Sequence, residues 1–222
     1  MKGEVSGVLR VACYPTFGKR YVLPVMATLA RQYPDLSLDL DLTERLADPV
    51  AERLDVVIRI GDMADSTLIA SKIATQIRVL CKPGLSGKRG FPASLDDIAS
   101  HRLIDKLHGA DLLCWSRVIG HPARENTGQP MFGCDDFEAM RQAAVEGMGI
   151  AFLPDWVAGD DINRGTLVQL FPEMSSQPYA STGIYALRAL RHPPARVTVF
   201  LDALREFIGH PAKWSTLRGQ RR

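Results

Sequence analysis

The sequence is short of most features that mark enzymes, membrane proteins and nucleic-acid binders. Aromatic residues fill only 7% of its 222 positions, and the four cysteines (Cys13, Cys81, Cys114, Cys134) are scattered with no Cys-x-x-Cys pair. That spacing favours reduced thiols in a cytoplasmic protein over disulfides or a metal centre. No run approaches the roughly 18–20 apolar residues that span a bilayer, so no membrane association is expected. The start, Met1-Lys2-Gly3-Glu4-Val5-Ser6-Gly7, lacks the apolar core of a secretory signal. Excess charge is missing too: 27 Lys+Arg face 25 Asp+Glu, a formal +2, which excludes disorder driven by charge. The last ten residues hold four of those basic groups and no acid, leaving 23 basic against 25 acidic in the body. A DNA-binding surface would be basic. This body is not one.

Catalytic signatures are equally scarce. His121, His192 and His210 each precede a proline, which biases them to extended loops, and His101 and His108 lie near predicted element ends. There is no His-Glu-x-x-His, no Cys/His metal spacing and no Gly-x-x-x-x-Gly-Lys. Gly84-Leu85-Ser86-Gly87 falls short of a nucleophile elbow, because its second glycine comes one residue early. Asp135-Asp136 and Asp160-Asp161 are adjacent pairs whose side chains diverge on a helix, and they read as caps and solvated positions. No catalytic residue, cofactor or metal is expected, and the chain is not read as an enzyme.

What is present is a globular composition, 46% hydrophobic, enough for one large domain or two small lobes. Val8 to Tyr14 is a β-rich run ended by Pro15. Lys19 to Tyr33 carries Leu23, Met26, Leu29 and Ala30 at helical spacing, with Pro24 near the start, where proline costs least. Leu36 to Leu42 alternates strictly, the period of a half-buried strand. Asp48-Pro49 can open a short helix with Val50 and Leu54 on one face. Asp55 to Ile60 reads as a third strand, closed by Gly61. Strand, helix, strand, helix, strand predicts a parallel sheet with crossover helices.

Further along, Leu68 to Leu80 is rich in β-branched residues, Cys81-Lys82-Pro83-Gly84 marks a boundary, and Leu85 to Gly90 is a loop. Ser94-Leu95-Asp96-Asp97 caps a short helix. Leu112 to Trp115 is a predicted strand and His121 to Gln129 a polar turn region. Asp135-Asp136 precedes a helix with Phe137, Met140, Ala144 and Met148 on one face, ended by Gly147 and Gly149. Ile150 to Leu153 is a buried strand halted by Pro154-Asp155-Trp156, and Trp156 is expected in the core. Gly183 to Leu190 is a last strand, followed after His192-Pro193-Pro194 by a helix carrying Val197, Phe200, Leu201, Leu204 and Ile208 inward. The fold class expected is α/β in two lobes.

These segments, in this order, resemble a known family. Gly7-Val8-Leu9-Arg10-Val11-Ala12, Pro15-Thr16-Phe17-Gly18, Tyr33-Pro34-Asp35-Leu36, Asp55-Val56-Val57-Ile58-Arg59-Ile60-Gly61, the stretch Ala143 to Trp156 and Gly165-Thr166-Leu167-Val168 look like the effector-binding domain of LysR-type transcriptional regulators. The resemblance covers about residues 7 to 209. The Asp-x-x-Ile-Arg-Ile-Gly form is similar to the branch that includes glycine-cleavage-activator-like regulators. The resemblance implies two lobes similar to type 2 periplasmic binding proteins, joined by two crossing segments around an interlobe ligand cleft. Lobe I would take residues 7–82 plus 184–210, lobe II 83–183, and 211–222 would be a disordered basic tail. Family members begin with a winged helix-turn-helix and a linker helix, absent from this sequence. The expectation is therefore a sensing and oligomerising part, with DNA bound only through that absent domain.

The implied partners are a small-molecule effector, such as an amino acid or small carboxylate, and a second copy, as homodimer or tetramer. The family dimerises through the helices at 19–33 and 135–147, with Tyr21 and Val22 as surplus apolar residues. Effector contacts would be Tyr14, Pro15, Thr16 and Phe17, then Thr43 and Glu44, then Ile60, Gly61 and Asp62, and in lobe II Cys134, Asp135, Phe152 and Pro154. All these lie at strand ends, where parallel α/β sheets bind ligands. Helix N-termini there favour an acid, whereas Glu44, Asp62 and Asp135 oppose one, so ligand charge stays open. Arg59 could pair with an effector acid or with a neighbouring carboxylate. The alternative function is a transport solute-binding protein of the same fold.

Overall fold

The computed structural model describes residues 5–61, 67–84, 90–107, 131–176 and 181–215. The chain forms two compact units: 1–75 with 182–213, and 76–181 with 214–222. It passes between them at Thr75–Gln76, at Ser181–Thr182 and at Lys213–Trp214. The sequence places the first break after Lys82. The observed passage comes earlier because the β-branched stretch and the presumed boundary form one continuous strand, β4 (Ile69–Pro83).

In the first unit β1 (Gly7–Cys13) pairs in parallel with β2 (Leu36–Leu42) and β3 (Val56–Ile60), as the alternating periodicities require. β9 (Ser181–Arg188) joins β3 antiparallel, so the sheet is mixed. The helical stretch after β1 begins earlier than expected. It comprises α1 (Pro15–Phe17), a π-helical turn Gly18–Val22 and α2 (Leu23–Gln32). Pro15 can start it because its missing N–H would have had no partner. Gly18 is required by contact: a Cβ there would collide with Leu42 and lie 2.7 Å from Cys13 Sγ.

Tyr21 and Val22 are buried in their own unit and are not surplus surface residues. The wide π turn rotates them inward. Asp48 does cap, its Oδ1 accepting from Val50 N at 2.8 Å and Ala51 N at 3.2 Å. The segment stays a turn, however, because Arg53 takes φ +55, and Val50 is exposed. The final helix, α5 (Ala195–Ile208), buries all five expected side chains and packs on α2 and the π turn.

In the second unit β4 pairs antiparallel with β7 (Ile150–Pro154) and β8 (Leu167–Leu170), while β5 (Leu103–Asp105) runs parallel to β6 (Phe132–Gly133) and β7. The cap at Ser94 forms reciprocally. Asp97 N donates to Ser94 Oγ at 3.3 Å and Ser94 N to Asp97 Oδ2 at 3.2 Å, opening a 3-10 turn over Asp96–Ser100. α3 (Phe137–Val145) is capped by Asp136, whose Oδ1 accepts from Ala139 N at 2.9 Å. Phe137, Met140 and Ala144 are buried, whereas Met148 lies past the helix end and is half-buried.

Pro154-Asp155-Trp156 halts the strand, as expected. It turns β7 directly into α4 (Asp155–Arg164), with Pro154 extended at the cap position. Trp156 is 1% exposed, in the core as expected. Asp161 is not a solvated position: it is buried and takes Arg141 at 2.7 Å, and Arg141 also holds Glu138 at 2.7 Å. Within the tail placed at 211–222, Ala212 and Trp214 are buried while Pro211, Lys213 and Ser215 are exposed. Apolar Ala212 and Trp214 separate the basic residues there, and burial follows from them. The predicted strand 112–115, the turn region 121–129, Cys114 and the tail beyond 215 lie outside the described residues.

Candidate functional site

Strand register decides which of the expected contact residues meet. In the first unit Cys13 pairs with Leu42 and with Ile58. The three parallel strands therefore end at one edge, and Tyr14–Phe17, Thr43–Glu44 and Ile60–Gly61 share it. The edge is tied by backbone bonds: Thr43 N donates to Cys13 O at 2.9 Å and Gly61 N to Gly183 O at 3.0 Å.

Exposure divides the set. Tyr14, Pro15, Thr43 and Ile60 are half-buried and Glu44 is exposed. Thr16 and Phe17 are 1% and 0% exposed, and Gly61 is buried, so these three form the floor beneath the edge. Asp62 lies outside the described residues. The loop carrying Thr43 and Glu44 is braced by Arg45, whose two terminal nitrogens reach both Glu52 oxygens at 2.5 Å. That fork holds the Glu52 carboxyl down to about 2, and Asp48 N–H adds to it. Thr43 Oγ1 accepts from Arg45 N at 3.3 Å.

In the second unit Leu103 pairs with Ile150 and Asp105 with Gly133. The carboxyl ends of β5, β6 and β7 again coincide, bringing Cys134–Asp135 and Phe152–Pro154 to one edge. Cys134 and Asp135 are half-buried, while Phe152 and Pro154 are buried wall. Cys134 N donates to Asp105 O at 3.0 Å. The sequence reading missed Asp105 and Lys106 at this edge. Lys106 N donates to Asp105 Oδ1 at 2.9 Å, and its ammonium lies 5.4 Å from the Phe137 ring centre. A three-residue strand leaves no periodicity to detect.

Asp155 sits at the same edge, 2% exposed, accepting Trp156 N at 2.9 Å. Burial pushes its carboxyl up to about 8, against the opposing bonds from the Ile77, Trp156 and Asp155 N–H groups. Burial likewise pushes the Cys13 and Cys81 thiols up to about 12, with Asp41 and Asp161 respectively adding to it. Both are inert packing residues. Among the described residues no helix is long and apolar enough to cross a membrane.

Mixed α/β units linked by shared strands, with loops gathered at the carboxyl edges, define a regulatory domain of the type 2 periplasmic-binding-protein-like class. The family model described as LysR substrate binding domain matches residues 2–209, and the chain belongs to that family. The HTH-type transcriptional regulator DmlR of Escherichia coli K12 is 34% identical over 207 residues, 91% of this chain and 66% of DmlR. The HTH-type transcriptional regulator PtxR of Pseudomonas aeruginosa is 30% identical over 215 residues, 94% of this chain and 67% of PtxR. The structure of CrgA, a LysR-type transcriptional regulator from Neisseria meningitidis, matches with a TM-score of 0.79 at 25% identity, covering 92% of this chain and 69% of that one. The chain thus spans about two thirds of the length of these curated relatives.

Proposed function

We propose that this chain is the effector-sensing and oligomerising part of a cytoplasmic LysR-type transcriptional regulator. It binds a small metabolite, an amino acid or small carboxylate, at its strand-end loops and performs no chemistry on it. DNA would be contacted by a winged helix-turn-helix outside this chain, and the working unit would be a homodimer or tetramer. The reading is supported by one observation above the rest. In each unit the strands whose ends carry the family-implied contact residues among those described finish at a single carboxyl edge, the place where such sheets take ligands. The mechanism would be a population shift, in which the effector binds one of two conformations better and so changes how paired DNA-binding segments are held. The relatives' names speak for regulation over solute transport.

The test is calorimetric titration of the 222-residue chain with a panel of amino acids and small carboxylates. At least one should bind, and Thr43→Val should weaken it about threefold or more, the scale of one lost hydrogen bond. A panel with no binder would count against the reading.

A further inference from the structure

The register of the first unit aligns a row of side chains that the linear sequence keeps far apart. Ala12 pairs with Asp41 and with Val57, and Val57 with Leu187. One pleat nearer the carboxyl edge, the corresponding positions are Tyr14, Thr43, Arg59 and Tyr185, with Arg59 directly paired to Tyr185. Side chains alternate along strands, so Arg59 and Tyr185 share the face on which Ala12, Val57, Leu187 and Ala47 pack, while Tyr14 and Thr43 follow directly after the ends of β1 and β2.

Arg59 is half-buried there and makes no hydrogen bond or ion pair among the described residues. Of the acids of this unit, Asp39 pairs with Arg10 at 3.3 Å, Asp41 and Glu52 with Arg45, and Asp55 with Arg196 at 2.9 Å, while Glu44, beside Thr43, is exposed to solvent and has interactions of its own. Gly183 lets the Tyr185 ring lie against the β9 backbone, since a Cβ at Gly183 would collide with that ring. The ring is thereby held over Gly183. A guanidinium keeps its charge at any physiological pH, and no Arg59 nitrogen is among the buried unpartnered atoms, so the group is open to an incoming acid. A planar fork flanked by hydroxyl-bearing side chains suits a carboxylate.

We propose that Arg59 is the counter-ion for a carboxylate of the effector, flanked by Tyr14, Thr43 and Tyr185, so that the ligand is a small acid. This deepens the effector reading and rests on it. Wild type, Arg59→Gln and Arg59→Lys are titrated with acetate, succinate, benzoate and glycine, and with acetamide, succinamide, benzamide and glycinamide. An acid should bind wild type, its amide about tenfold or more weaker, with a similar loss in Arg59→Gln and an intermediate one in Arg59→Lys.

An amide that binds as well as its acid, or an acid indifferent to Arg59→Gln, overturns the proposal while leaving the effector reading intact. A panel silent on wild type sinks the effector reading, and the proposal with it. The ligand-free melting temperature gives a second arm. A counter-ion awaiting its acid costs nothing to replace, so Arg59→Gln should melt at or above wild type. A fall of several degrees would show that Arg59 holds the fold, and would overturn the assignment.

Discussion

The two units bury different things. The first packs an apolar interior in which Thr16 and Thr182 are the buried polar residues among those described. The second buries Gln76, Arg78, Lys82, Asp155 and Asp161. Two of its strands are also short, three residues in β5 and two in β6, although its β4 runs on for fifteen residues from the first unit. Long parallel strands can hold a unit through area alone, at roughly 25 cal/mol for each Å² removed from water. Short ones must recruit specific polar contacts: Arg141 bridging α3 and α4 through Asp161, Trp156 Nε1 donating to Gln76, and the Asp155 carboxyl accepting from Trp156 N. Such contacts are directional, and that of the Asp155 carboxyl is pH-dependent, where apolar area is neither. The first unit should therefore respond to volume and the second to charge.

The largest expected effect tests volume. Phe200 in α5 is 0% exposed, and Phe200→Ala should cost about 3–5 kcal/mol in urea denaturation, with amide protection lost first in the first unit. A cost near that of a surface change would erase the contrast.

Next comes charge. The folded protein holds the Asp155 proton far more tightly than an unfolded chain, at about 8 instead of 3.8. The stability this contributes is complete below pH 3.8 and is lost as pH rises through about 8. Denaturation followed from pH 4 to 9 should show that decline, and Asp155→Asn should flatten it. An identical slope in the variant would remove Asp155 from the account.

Smallest is the α3 cap. Asp136→Ala should cost about 1 kcal/mol and speed amide exchange only in the first turn of α3. Exchange rising equally across the first unit would contradict the division.

Periodicity made the first unit legible. Leu36–Leu42 is a strand over the very residues that alternate, and α5 buries each side chain its spacing placed inward. Caps were legible as well, at Asp48, Ser94 and Asp136, because a cap is a local bond between near neighbours. Helix α4 was not, since Pro154 resembles a stop and Gly159 with Asp160-Asp161 blurs the apolar stripe. Yet Asp161 faces inward because Arg141, twenty residues earlier, meets it. The antiparallel pairings of β9 with β3 and of β4 with β7 and β8 depend on chain returns that no local pattern encodes. The candidate site divides the same way. Its strand-end loops were readable from strand boundaries, whereas the row through Arg59 needs the register of four strands.

Burial of Ala212 and Trp214 has a practical side. A fusion partner or affinity handle grafted straight after Pro211 would replace two interior side chains with water. The attachment point compatible with the folded molecule lies past Ser215, so a trimmed version ending sooner would be a damaged protein rather than a minimal one.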